Sequence, residues 1–135
     1  MAYINQQMKK ELVPEIKAVL KKHGYKGTIG VSNHSTLVVN IKEGKHDFIN
    51  IANAKGQEMA ERRGHRYHPS TGYVQVNTYY PEHYGEAAPF IEELVAAMKG
   101  TKWYNNSDIQ TDYFDIAWYI DINVGQWNKP YQMIQ

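Results

Sequence analysis

The sequence contains no cysteine. That excludes a disulfide framework, a thiolate nucleophile and a cysteine-ligated metal site, and it makes the cytoplasm the default compartment. No apolar run approaches the roughly 18 residues that a membrane-spanning helix needs, and mean hydropathy is -0.63. The opening residues, Met1-Ala2-Tyr3-Ile4-Asn5-Gln6-Gln7, lack the basic-then-apolar plan of a secretory signal. There is no Walker A loop, dinucleotide fingerprint, nucleophile elbow or His-Glu-x-x-His motif. Internal repeats, low-complexity tracts and linkers are also missing. A chain of 135 residues with this make-up is expected to form one domain around a single core.

Tyrosine and an uneven charge distribution are what the chain has in plenty. Eleven tyrosines exceed what a core of this size accommodates with every hydroxyl satisfied, so some are expected on a recognition surface. Residues 1–70 hold 12 Lys/Arg and 6 Asp/Glu, a net of +6, whereas residues 71–135 hold 3 and 8, a net of -5. The overall +1 therefore conceals either a basic and an acidic face or two halves that interleave in space.

The strongest periodicity lies in Phe114 to Val124. Phe114, Ile116, Trp118, Ile120, Ile122 and Val124 alternate with Asp115, Ala117, Tyr119, Asp121 and Asn123, the pattern of a strand with one face on a core and one toward water. Ile4, Met8, Leu12, Ile16, Val19, Leu20 and His23 predict an amphipathic helix, interrupted or restarted at Pro14 and stopped by Gly24. Thr28–Ser32 and Thr36–Ile41 predict a hairpin through Asn33-His34-Ser35, with Leu37, Val39 and Ile41 on the core side and a turn at Glu43-Gly44-Lys45. A weaker helix is expected over Ala54–Arg63, a strand over Gly72–Tyr80, and a second amphipathic helix from Pro89 to Gly100. The expected fold class is α+β, a single domain in the order α-β-β-(α)-β-α-β. It would have an antiparallel or mixed sheet of about four strands and two amphipathic helices packed on one face.

Four stretches carry residues suited to binding or chemistry. Arg62-Arg63-Gly64-His65-Arg66-Tyr67-His68 is the densest basic run, fit to neutralise phosphates, with Tyr67 available to stack on a base in an exposed connection. Asp108, Asp112 and Asp115, beside Tyr113, offer hard oxygen ligands to a divalent cation if their loop folds back. In the absence of a recognisable metal spacing they read equally as turn and capping residues, and no cofactor is implied. His34-Ser35-Thr36 and His68-Pro69-Ser70 resemble the paired His-x-Ser/Thr motifs of two-histidine phosphoesterases, although Thr71-Gly72 follows the second copy where an apolar strand should begin. Gly125-Gln126-Trp127-Asn128-Lys129-Pro130-Tyr131 predicts a turn that folds Trp127 back over the sheet, leaving Lys129 and Tyr131 on a contact surface.

Over most of its length the chain resembles one of the large polyvalent protein-associated domain families of bacteriophages and mobile elements. The residues carrying the resemblance are Gly27 to Ile41, Gly44 to Ile49, Asn106-Ser107-Asp108, Thr111 to Asp115 with Tyr119, and Gly125 to Tyr131. It implies a phage or plasmid accessory protein that acts in the host cytoplasm, often against host defences, and it brings no catalytic residues. With no catalytic motif and no membrane segment, the expectation is a non-enzymatic protein that binds a host protein or nucleic acid. The competing class is a phosphoesterase or nuclease using His34 and His68, or a metal held by Asp108, Asp112 and Asp115. A third is a homo-oligomer pairing acidic and basic halves.

Overall fold

The computed structural model describes residues 2–69, 72–78, 80–105, 116–126 and 129–133. Helix α1 spans Gln6–His23. The Asn5 side chain accepts a hydrogen bond from the Met8 amide at 2.8 Å, and Gly24 ends the helix in the left-handed region with φ 78°. The helix runs through Pro14 rather than restarting there. Pro14 and Lys10, whose carbonyl loses its partner, both lie on the outer side, so water replaces the missing bond.

Strands β1 (Lys26–Ser32) and β2 (Thr36–Gly44) form the expected antiparallel hairpin. Its turn places Asn33 and His34 at φ 54° and 55°, and the Ser35 amide closes it on the Ser32 carbonyl at 3.1 Å. Helix α2 (Phe48–Arg63) follows; Phe48 to Ile51, readable in the sequence as a short strand or a helix entry, is the helix entry, capped by Asp47 through the Asn50 amide. Strand β3 is only Val74–Gln75, extended by one bond from the Val76 amide to the Ile122 carbonyl at 2.8 Å. The expected strand to Tyr80 instead turns after Val76 into a 3-10 segment, Pro81–Ala87, and then α3 (Ala88–Lys99). Strand β4 is Tyr119–Val124 and β5 is Gln132–Met133. Phe114 and Asp115 lie outside the described residues.

The sheet is mixed and open, in the order β1-β2-β4-β3. The β2–β4 pair is parallel, Leu37 opposite Ile120 and Ile41 opposite Val124. Where β4 leaves β2, β5 takes over the same edge and pairs Glu43 and Gly44, so β2 runs on through the predicted turn. Leu37, Val39, Ile41, Ile122 and Val124 are fully buried beneath Ile16 and Leu20 of α1 and Phe90, Ile91, Leu94 and Met98 of α3. Burying each such aliphatic side chain stabilises the fold by about 1.5–3 kcal/mol. All buried polar side-chain atoms among the described residues have hydrogen-bond partners. Trp118, for example, donates to the Met98 carbonyl at 3.2 Å.

Helices α1 and α3 are tied at one point by Glu93, which accepts from Lys22 at 2.5 Å and engages the His23 ring. The hydrogen bond from Lys22, then that from His23, holds the Glu93 carboxyl below the usual carboxylate range. A carboxyl depressed in the folded state binds fewer protons there than in the unfolded chain. Its contribution is therefore present above the unfolded pKa and lost as pH falls through the folded one. Glu93→Gln will flatten the fall of the thermal midpoint as pH drops through and below the ordinary carboxylate range. An unchanged profile would mean that the bridge is screened out by water.

Candidate functional site

At the end of α1 the chain builds a basic concavity. Lys17 and Lys21 stand one helical turn apart, Lys26 opens β1 and Lys45 follows β2. Together they line a hollow of about 510 Å³ floored by Leu20 and Tyr25. Gly24 makes the placement possible. A side chain there would meet the Cε, Cδ and Cγ atoms of Lys45 at 2.6–2.8 Å, so its absence lets the lysine stem lie against the helix end. Tyr25 closes the floor, its ring stacked on Phe90 with centroids 3.9 Å apart and its hydroxyl paired with His46 Nδ1 at 2.5 Å. Burial, with the nearby Tyr131 and Glu86, pushes the Tyr25 hydroxyl well above its ordinary range, so the floor is uncharged.

The pocket is poorly neutralised. Of the four lysines only Lys26 is ion-paired among the described residues, to Glu43 at 3.8 Å with the lysine side chain 72% exposed, a geometry worth little in water; Glu86 lies close enough to the floor to act on the Tyr25 hydroxyl. Lys17, Lys21 and Lys45 have no carboxylate within ion-pair distance among the described residues. The α1 C-terminus supplies the equivalent of about half a negative charge, which explains lysines in the last turn but leaves four cations largely uncompensated. The basic and acidic halves of the sequence do interleave elsewhere. Lys22 bridges to Glu93, and Lys102 to Glu11 at 3.8 Å.

The second feature is the sheet face opposite the helices. Register aligns Thr28 with Asn40, Asn40 with Asn123 and Asn123 with Gln75, a polar row across all four strands. Asn123 donates to Asn40 at 3.1 Å, and Gln75 to Asp121 at 3.0 Å. Tyr119 ends this face on one side at 49% exposure. The same alternation puts Tyr73, one step outside β3 and 48% exposed, at the other end. Thr28, Lys42 and Tyr119 on this side are exposed, and Asn40, Asp121 and Asn123 are half-buried. Alternation therefore predicted the polar side of β4 correctly, and its water-facing residues form a hydrogen-bonded row with their neighbours.

The predicted site residues are dispersed. Arg62 and Arg63 are the last turn of α2 rather than a loop, and Arg62 pairs with Glu58 at 2.6 Å. Arg63, His65, Arg66 and His68 are exposed. Tyr67 is not free to stack on a base: its ring lies over Gly56 and its hydroxyl donates to Asn53 at 2.8 Å. Tyr131 is buried, donates to the His46 carbonyl at 2.8 Å and is pushed up to about 12 by burial, then by Asp47. It is a packing residue and not a contact residue. Lys129 is exposed in a short turn closed with Gln126. Asp108, Asp112, Tyr113, Asp115 and Trp127 lie outside the described residues. His34 caps the hairpin at the Tyr119 end of β4, while His68 leads into β3 at the Val124 end, so the fold does not bring the two histidines together. Among the described residues no group of three His, Asp or Glu is placed to hold a metal ion.

Sequence reasoning passed over the lysine pocket. The i, i+4 spacing of Lys17 and Lys21 was visible, but nothing local placed Lys26 and Lys45 beside them. No family model, curated protein or solved structure matches the chain.

Proposed function

We propose that this protein is a non-enzymatic accessory protein that binds nucleic acid through its phosphate backbone. The observation carrying the reading is the hollow at the α1 terminus, where four lysines converge on an uncharged floor and only Lys26 is ion-paired among the described residues, through an exposed 3.8 Å contact with Glu43. A concave site of that kind attracts a polyanion, and displaced counterions supply the free energy. Lys9, Lys10, Lys42, Arg63 and Arg66, elsewhere on the surface, are also without carboxylate partners among the described residues. The resemblance to domains of phage and mobile-element proteins supports setting this activity in a host cytoplasm, in opposition to a host defence.

Fluorescence anisotropy with labelled oligonucleotides across a salt series tests the reading. Four phosphate contacts give a log–log slope of about -2.8 on a single strand, a loss of about 50-fold in affinity between about 50 and about 200 mM salt. Replacing Lys17, Lys21, Lys26 and Lys45 by alanine should leave the thermal midpoint nearly unchanged, because all four are surface groups, and bring the slope toward zero. Salt-independent binding, or a quadruple variant that binds like wild type, would overturn the proposal. A host protein as the partner is the result if nucleic acid does not bind and an acidic polypeptide does.

A further inference from the structure

The open sheet face makes a more specific claim about the ligand, and it rests on the nucleic-acid reading above. We infer that this face is a platform for the bases of a single strand, with Tyr73 and Tyr119 as stacking surfaces and the amides of Asn40, Asn123 and Gln75 between them. Half-exposed tyrosines on a sheet keep one ring surface available, and a base laid on it gains stacking without sequence preference. The two lie at opposite ends of β4's length, roughly 20 Å apart along the strand direction, with the amide row between. Gly30 has no atom near the position a Cβ would take, so the face is flat beside β2 and offers a planar ligand no obstruction.

Charge fixes which way the strand lies. Asp121 sits in the middle of the face, accepting from Gln75 at 3.0 Å and from Asn123 at 3.4 Å. A carboxylate there repels phosphates and accepts from base amino groups, so it admits bases and turns the backbone away. Lys42 falls on the same side of β2 at the Tyr73 end, and Lys26 opens the β1 edge there. Lys26 also lines the lysine pocket and, across a register shift, pairs with Glu43, so it marks the β1 edge between the hollow on the helix side and the platform. The backbone would run along the lysine side with its bases turned inward over the amides. A duplex cannot do this, because its bases are paired and stacked within the helix and their faces are hidden.

The test compares a labelled single strand of about 12 nucleotides with a duplex of matched phosphate count. Wild type should prefer the single strand by about tenfold or more. The Tyr73→Ala/Tyr119→Ala variant should lose about 10- to 100-fold on the single strand and little on the duplex. Tyr73→Phe/Tyr119→Phe, which keeps both rings, should restore binding. A 2-aminopurine base in the strand should be quenched by wild type and not by the alanine variant. Asp121→Asn should tighten single-strand binding about twofold or more, since it removes a charge that repels the phosphates from a distance while an amide oxygen remains to accept from base amino groups. Equal affinity for duplex and single strand, or an alanine variant that binds like wild type, overturns the platform and leaves the lysine reading intact. If neither probe binds at low salt, both fall.

Discussion

Gly125→Ala will destabilise the protein by about 3 kcal/mol, about twice the cost of the same change at Gly64. Both glycines sit at positive φ, 78° and 71°, where an L side chain adds roughly 1–2 kcal/mol of strain. Their surroundings differ. A Cβ at Gly64 would meet open space, whereas one at Gly125 would lie 2.3 Å from the Gly72 carbonyl oxygen and 2.7 Å from the Tyr131 amide. Those two atoms are themselves hydrogen-bonded at 2.7 Å. The added methyl must part them and forfeit that bond, worth about 0.5–1.5 kcal/mol, in addition to the strain. The crossing also seats β5 on Glu43 and Gly44, so its loss shortens the sheet. Urea titration of the two variants gives the comparison directly. Equal midpoints would show that the crossing yields without cost.

This crossing marks the boundary of what the sequence made legible. The alternation from Tyr119 to Val124 gave the core side correctly, because period-2 burial is a local property that the pleat imposes, whereas Ile116 to Trp118 precede the strand and Ala117, expected toward water, is buried. The same holds for Leu37, Val39 and Ile41, and for the helix stops at Gly24 and Gly100. Parallel pairing of β2 with β4 was not readable, since it depends on a crossover through α2, β3, the 3-10 segment and α3. Abundant tyrosine did reach the surface, as Tyr3, Tyr73, Tyr80, Tyr104 and Tyr119 show, but Tyr67 and Tyr131 misled for a physical reason. A tyrosine ring is satisfied in a core when one acceptor is near, as His46 and Asn53 are for Tyr131 and Tyr67, and no local pattern announces that acceptor. The lysine pocket needed four residues from three elements to converge on the space left by Gly24. The polar side of β4 was legible, but whether a helix would cover it was a matter of topology.

Phe48→Ala will cost about 3–5 kcal/mol and will fall unevenly across the fold. Phe48 is fully buried, stacked on Tyr84 with ring centroids 5.1 Å apart. It is also the one fully buried residue of α2, whose Ile49, Ile51 and Ala52 are only partly covered. Helices of this length are marginal in water without tertiary packing, so removing the anchor releases α2 before the sheet. Hydrogen exchange will then show α2 amides opening while those of β2 and β4 stay protected. Ile122→Ala, at the centre of the sheet's buried face, should instead accelerate exchange across β2 and β4 together. Identical exchange patterns for the two variants would show that α2 and the sheet unfold as one unit. The same contrast separates the two basic regions. Arg63 and Arg66 ride on the end of α2, whereas Lys17, Lys21, Lys26 and Lys45 are held by α1 and the β1–β2 hairpin. Under conditions where Phe48→Ala has loosened α2 alone, the lysine pocket should keep most of its affinity for a single strand. A collapse of binding at that point would transfer the backbone contacts to the arginine run.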